Sequence, residues 1–348
     1  MEIGSNFDLD IGKLQVTDMH VKIFLGELHP VYLDSGRSAI RVLALRLKKG
    51  RVLLPSYICR SVVDSFGQDF EIEYYLVDEC LQIDRESLRE KMDDTVTVVY
   101  VMHYFGILQK GEILEYLAKE REKRGFLILE DTTHSLLTAA ETVGDYQICS
   151  LRKWFPIPDG GVLYGQHTGE ISSRGLLERA SSGKVTEAMI LKHLCLRLSV
   201  ECNSLYRRIF AEQEDAMDTQ QDICRMSEVS ELLLKYMDLE GIAKARRDNW
   251  NTLIERLDHT MIQPIYQMPA EHFVPFALPV IVKDRDRFRH YLMEHQIYCA
   301  VHWPMETEHQ KRIPVNCTLE RNILSLPIDQ RYTREQMNYL AEAIHKYK

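Results

Sequence analysis

Through the first half of the chain, short apolar runs alternate with amphipathic stretches, and no other feature restricts the possible folds as much. "RVLLP" is followed by the helix-like "CRSVVDSF", "IEYYLVD" by "DRESLREKM", "TVTVVYVMHYFG" by "EILEYLAKEREKR", and "GFLILED" by "THSLLTAA". Apolar runs bounded by turn residues read as strands, and the stretches between them carry apolar residues at helical spacing. Strand and helix in alternation predict an α/β fold, a mostly parallel central sheet flanked by helices. Open sheets of this kind bind ligands beyond the C-terminal ends of their strands. Glu130 and Asp131 fall at one such end.

The stretch "CSLRKWFPIPDGG", Cys149 to Gly161, follows the next strand-like run, "DYQIC", and leads into another, "GGVLYG". That context puts Lys153 on a tight turn between strands, with Trp154 and Phe155 directly after it. A lysine in a loop is ordinarily a solvated charge. A turn beside a strand end gives this one a second reading, as a functional amine. Earlier, "LDSGRSAIRVLALRL" sets Ser35, Gly36, Arg37 and Ser38 at the start of a helix. Free N–H groups and the helix dipole suit an anion there. Taken alone, the stretch reads equally well as an ordinary N-cap.

From about Ser172 to Leu257 the pattern is helical, with no glycine between Gly183 and Gly241, and a long helix is predicted to start near Ser227. A strand "FALPVIV", a helix "DRDRFRHYLMEH", a short run "IYCAVHWP" and a last helix "TREQMNYLAEAIHKY" close the chain. The expected organisation is a large domain over 1–240 and a smaller α+β domain over 241–348, leaving open that the N-terminal segment packs on the smaller one.

The 348 residues, 45% hydrophobic and 27% charged, suffice for two such cores. A net charge of −9 speaks against a nucleic-acid partner, which needs a basic face. The N-terminus has no basic stretch leading into an apolar one, and no run reaches the roughly 18 apolar residues of a membrane span. The expectation is a soluble, cytoplasmic protein with no membrane partner. Eight cysteines, at 59, 80, 149, 195, 202, 224, 299 and 317, form no CxxC pair and no zinc-like spacing. They are expected to be reduced, mostly buried thiols, with no metal bound.

In chain order the sequence offers "SGRSA" opening a helix, "EDTTH" at a strand end, "SLRK" after the following strand, and then a glycine pair. With "VLLPSYICRSV", "VVYVMHYFG", "RMSEVSELLL" and "LSLPID", this order and spacing resembles the DegT/DnrJ/EryC1/StrS family of sugar aminotransferases. The resemblance runs from about Asp34 to Ile344 and is weakest from Gln166 to Gln220. It implies a fold type I transferase that uses pyridoxal 5'-phosphate and assembles as a homodimer.

The resemblance also implies roles. Lys153 would be the amine that condenses with the cofactor aldehyde and moves the substrate proton. Asp131 would face the pyridine nitrogen and keep it protonated, since opposite charge stabilises the charged form. His134 would contact the phenolic oxygen of the cofactor, and Tyr57 is a candidate to cover the ring. Ser150, with Ser35, Gly36 and Arg37, would hold the phosphate. Arg225 matches a residue that reaches the other subunit's cofactor. The family's stacking aromatic is Cys59 here, its asparagine is Ile223, and the serine many members keep five residues before the lysine is Ile148. His103, and His302 with Trp303, also match family segments and are read as structural.

The expected function is transfer of an amino group from an amino acid, with glutamate the expected donor, to a keto-sugar carried on a nucleotide. Two other readings stay open. One is a lyase or amino-acid-acting enzyme of the same fold and cofactor, and the other a catalytically weak sensor or binding protein. Lys153 speaks against the sensor, and against the family's sugar dehydratases, in which histidine replaces the lysine. Between Ile262 and Gln310, Arg285, Arg287 and Arg289 lie in a helix-like run and form no evident dicarboxylate clamp, which favours a site open to a bulky second substrate.

Overall fold

The structure is a computed structural model that describes residues 2–138, 142–171, 178–257, 262–266, 272–304 and 317–347. Along the chain run β1 (Ile3–Gly4), α1 (Val21–Phe24), β2 (Val31–Leu33), α2 (Gly36–Ala44), β3 (Arg51–Pro55), α3 (Arg60–Phe66), β4 (Glu71–Tyr75), α4 (Arg85–Lys91), β5 (Val96–Met102), α5 (Gly111–Arg124) and β6 (Leu127–Asp131). Then come β7 (Tyr146–Cys149), β8 (Gly161–Tyr164), α6 (Gly183–Leu198), α7 (Asn203–Thr219), α8 (Glu228–Leu233) and α9 (Leu239–Ile254). Last are β9 (Ile262–Pro264), β10 (Leu278–Val282), α10 (Arg285–Glu294), β11 (Ile297–Tyr298), α11 (Cys317–Asn322), β12 (Ile323–Leu326) and α12 (Arg334–Lys346). By compactness the chain divides into two units. One comprises Met1–Ser5, Lys48–Gly144 and Gly241–Lys348, the other Asn6–Leu47 and Asp145–Glu240.

In the first unit β4, β3, β5 and β6 lie side by side and all parallel. The sequence of β5, "VTVVYVM", explains its interior place: all but Thr97 are buried, as in a strand covered on both faces. Its register with β6 pairs Met102 with Asp131, so the carboxylate sits at the C-terminal edge. Helices α3, α4 and α5 connect these strands, as the alternation predicts. Asp84 caps α4 by accepting from the Ser87 N–H at 2.9 Å, and α5 ends with Arg121, Lys123 and Arg124 in its last turn, where cations suit the dipole. The same unit holds an antiparallel sheet, β9-β10-β12, and a core that includes Trp250, Phe273, Val280, Phe288 and Leu340. Strand β1 pairs in parallel with β11, and the Gly4 N–H donates to the Tyr332 hydroxyl at 2.6 Å.

In the second unit β8 runs antiparallel between β2 and β7. Helix α2 starts where the sequence places it: Ser35 is the N-cap, its Oγ accepting from the Ser38 N–H at 3.1 Å, and Ala39, Ile40, Val42 and Leu43 are buried.

Three expectations are corrected. "THSLLTAA" does not form a helix where it is described: Ser135 N–H donates to Thr132 O and Thr138 N–H to Ser135 O, so the chain turns. Thr138 Oγ1 donates to Gly106 O at 2.9 Å, a long-range bond that ties the turn to another segment. Residues 139 and 140 lie outside the described residues. The long helix expected from Ser227 is two helices, α8 and α9, because Leu234–Tyr236 tighten into a 3-10 turn and buried Met237 takes extended backbone. The cysteines are not all free thiols. Cys195 of α6 and Cys202 at the start of α7 are disulfide-bonded, Cα 5.8 Å apart, while 59, 80, 149, 224 and 299 are free.

Candidate functional site

In the second unit the chain between β7 and β8 is tied down by backbone bonds. Leu151 N–H donates to Gly160 O at 3.0 Å, and Gly160 N–H donates to Asp34 O at 2.6 Å. Residues Leu151–Lys153 form one 3-10 turn, and Trp154 and Phe155 behind it are fully buried. Lys153 therefore projects, half-buried, from an anchored turn. Among the described residues its amine makes no hydrogen bond or ion pair.

The start of α2 joins the same cluster. A Cβ added to Gly36 would meet the Ser150 Cβ at 3.4 Å, so Ser150 lies against the helix start. A Cβ at Gly161 would come within 2.1 Å of the Ser35 carbonyl carbon and oxygen, so the strand can pass the N-cap this closely only as glycine. Gly160, at φ 147°, holds a backbone conformation that side chains rarely adopt. Arg225 is placed by its backbone, which bridges Leu33 and bonds to Glu178 O, while Asp34 N–H donates to Cys224 O. Its Nε is buried and unpaired.

The Arg37 guanidinium already has carboxylate partners. It pairs with Asp218 and lies 4.0 Å from Glu214, both near the end of α7. Arg152 makes two bonds to Glu214, at 2.8 and 3.0 Å. Burial pushes the Glu214 carboxyl up, but the Arg152 charge and hydrogen bonds, with Arg37 and Lys153 beyond, outweigh it and hold it at about 2. Gln220 adds a bond to Asp34 Oδ2 at 2.7 Å. The α2 N–H groups, Ser35 and Ser150 lie together at this point. These acidic partners sit in a stretch where the resemblance is weakest, and nothing in the sequence singles them out.

In the first unit Asp131 is buried at the end of β6. Its Oδ1 accepts from the Thr133 N–H at 2.8 Å and its Oδ2 from the Tyr100 hydroxyl at 2.6 Å. His134 is stacked: its ring is 4.2 Å from Phe276 at 9° and 5.5 Å from Trp303 at 15°. Tyr57 packs on Trp303 at 5.4 Å and on Tyr104 at 6.0 Å, and burial raises its phenol far above the ordinary value. His103 accepts from Gln109 N–H at Nδ1, so its Nε2 carries the proton toward Glu130, 3.2 Å away. Glu130 Oε1 in turn accepts from the Val143 and Gly144 N–H groups. Sequence reasoning missed Tyr100. Its one signal is a phenol within an otherwise aliphatic buried strand.

No protein-family model matches the chain. Over 275 residues, 76% of this chain and 69% of the relative, it is 21% identical to the dTDP-3-amino-3,6-dideoxy-alpha-D-galactopyranose transaminase of Aneurinibacillus thermoaerophilus. Among solved structures, Helicobacter pylori PseC, an aminotransferase involved in the biosynthesis of pseudoaminic acid, matches with a TM-score of 0.70 at 14% identity, covering 99% of each chain. A DegT DnrJ EryC1 StrS aminotransferase from Brucella abortus matches at 0.64 with 15% identity, over 93% of this chain and 87% of its own. The chain has the fold of the fold type I transferases. The likeness to DegT/DnrJ/EryC1/StrS aminotransferases read from the sequence is borne out by these relatives.

Each unit by itself offers groups of the kind that hold pyridoxal phosphate. The second unit offers an amine unpaired among the described residues on an anchored turn and a helix start flanked by two serines, with a glycine contact that a Cβ would fill. The first offers a buried carboxylate held at both oxygens. Among the described residues no group of three or more His, Cys, Asp or Glu could hold a metal ion, and no helix is long and apolar enough to cross a membrane.

Proposed function

We propose that the chain is a pyridoxal-phosphate-dependent aminotransferase that moves an amino group from an amino acid, glutamate in our reading, to a keto-sugar carried on a nucleotide. The observation that carries the proposal is the Lys153 amine, unpaired among the described residues and projecting from a turn fixed at both ends by backbone bonds. The sugar transaminases among the relatives supply the substrate class. When bound, the cofactor serves as an electron sink for the substrate carbon. Lys153 would hold the cofactor through its amine, and would hold or release the proton at the substrate carbon. Ser35, Gly36 and Ser150 hold the phosphate by hydroxyl and backbone N–H groups. Asp131 would be the counter-charge of the ring nitrogen, Tyr57 would cover the ring, and His134 would meet its phenolic oxygen.

Two of the three arginines of α10 are engaged by neighbours, which supports a sugar rather than a dicarboxylic acid as acceptor. Arg285 donates to Glu320 O at 2.6 Å and pairs with Asp286, and Arg289 donates to Cys299 O at 3.1 Å. Neither is free to clamp a second carboxylate. Residues 267–271 and 305–310 of the expected clamp segment lie outside the described residues. The proposal includes a homodimer with Arg225 serving the partner's cofactor, a cytoplasmic location, and the division into a cofactor-binding part, 1–240, and a C-terminal part, 241–348. The test is the visible spectrum of the purified protein with pyridoxal phosphate. A band that bleaches on adding glutamate and returns with keto-sugar nucleotides supports the reading. Return with pyruvate or oxaloacetate but with none of the sugars moves it to an amino-acid-acting enzyme.

A further inference from the structure

The buried phenol of Tyr100 has no place in the roles considered so far. It comes from the middle of β5, and parallel register puts Tyr100 opposite Leu129, two residues before Asp131 on β6. From that diagonal position its hydroxyl reaches Asp131 Oδ2 at 2.6 Å. The phenol is itself immobilised. Its ring packs edge-on against Phe66 at 6.3 Å and 78°, its backbone carbonyl accepts from the Tyr75 hydroxyl at 2.6 Å, and the residue is fully buried.

Two donors on two different oxygens fix the plane of a carboxylate. Thr133 N–H holds Oδ1 and Tyr100 holds Oδ2, so rotating the Asp131 side chain breaks at least one bond in a dry environment. Leaving a buried oxygen unpaired is costly, more so when it is charged. A donated hydrogen bond also favours the charged form of a carboxylate and makes it a weaker base. Burial, and next the charge of Asp131, push the Tyr100 phenol well above its ordinary value, so it stays a donor throughout the working pH range.

We infer that Tyr100 is a positioning residue: its phenol aims the Asp131 carboxylate at the ring nitrogen of pyridoxal phosphate. The inference rests on the proposed function. It acts through Asp131 and touches no substrate.

The test is a double-mutant cycle read by the dissociation constant for pyridoxal phosphate, by kcat and KM for the amino donor, and by urea unfolding of the apo protein. Tyr100→Phe is expected to weaken cofactor binding about tenfold and lower kcat by a similar factor, the size expected for a hydrogen bond to a charged group. KM is expected to stay within about twofold. Asp131→Asn loses more, and Tyr100→Phe combined with Asp131→Asn is expected to bind within about twofold of Asp131→Asn alone. Tyr332→Phe, which removes a buried hydroxyl bonded to the Gly4 N–H without touching Asp131 or Tyr100, is the control: it lowers stability and leaves cofactor affinity unchanged. If Tyr100→Phe does not fold, 3,5-difluorotyrosine placed at position 100 keeps the shape and strengthens the donor. It is then expected to move the visible band of the bound cofactor. Wild-type affinity and kcat in Tyr100→Phe, losses that add in the double variant, or an unmoved band with difluorotyrosine overturn the inference. A wild-type protein that does not bind pyridoxal phosphate overturns the proposed function itself, and the inference with it.

Discussion

Asp131 ends a strand and Lys153 ends a turn, and the two are held in place by different means. The carboxylate is positioned by register: β5 and β6 are buried along nearly their whole length, and two hydrogen bonds inside that apolar layer complete its orientation. The lysine is positioned by local backbone, through the 151–160 and 160–34 bonds, the burial of Trp154 and Phe155, and half-exposed ion pairs around Arg152. A core strand spreads any disturbance over many contacts, whereas an anchored turn concentrates its dependence on a few caps and close approaches.

The sharpest test of this contrast is Lys153→Ala. The amine has no partner among the described residues, so its removal is expected to leave the urea midpoint within about 0.5 kcal/mol of wild type. Turnover and the visible cofactor band should both disappear. Retained turnover would remove Lys153 from the site, and a large loss of stability would show that the turn depends on the side chain after all.

On the carboxylate side, Leu129→Ala is expected to act the opposite way. Leu129 is fully buried in β6, and the cavity it leaves costs about 3 kcal/mol. Cofactor affinity should fall with it, because Asp131 is two residues further along the same strand. A loss below about 1 kcal/mol would mean that the layer relaxes around the gap and that register is not what holds the carboxylate.

Between these lies Ser35→Ala, which removes the cap of α2 at a cost of about 1 kcal/mol. Cofactor affinity is expected to drop several-fold, since the same hydroxyl stands at the proposed phosphate site. A stability loss with unchanged affinity would reduce Ser35 to an ordinary N-cap.

How much of this was readable from the sequence follows the same division. Strands and their ends were legible because period and length distinguish buried parallel strands, so the edge position of Asp131 could be predicted from "GFLILED" alone. The lysine turn was legible from its flanking strands and the glycine pair. Tyr100 was not, because a hydroxyl reaching a neighbouring strand diagonally depends on register, and sequence period says nothing about which residues face each other. The diversion of Arg37 to Asp218 and Glu214 was equally hidden, since it brings together residues 177 and 181 positions apart. "THSLLTAA" misled because its apolar spacing is helical while its backbone closes turns, and Thr138 Oγ1 bonds to Gly106, 32 residues away, which no local pattern reveals.

The smallest effect belongs to Glu214→Gln, and it separates local anchoring by ion pairs from anchoring by backbone. Glu214 carries two bonds from Arg152, yet it is half-exposed, so water screens the pair and its net worth is about 0.5–1 kcal/mol at neutral pH. Its carboxyl is held at about 2 in the folded protein, below the roughly 4.3 of an unfolded chain. A depressed carboxyl stabilises the fold above its unfolded value and loses that contribution as pH falls from about 4.3 through about 2. The urea midpoints of wild type and Glu214→Gln are therefore expected to differ at pH 7, to converge as pH is lowered toward 3, and to converge at pH 7 in high salt as well. A difference that stays constant across that range would mean that the glutamate acts by packing along α7. Lys153 would then owe its position to the backbone bonds alone.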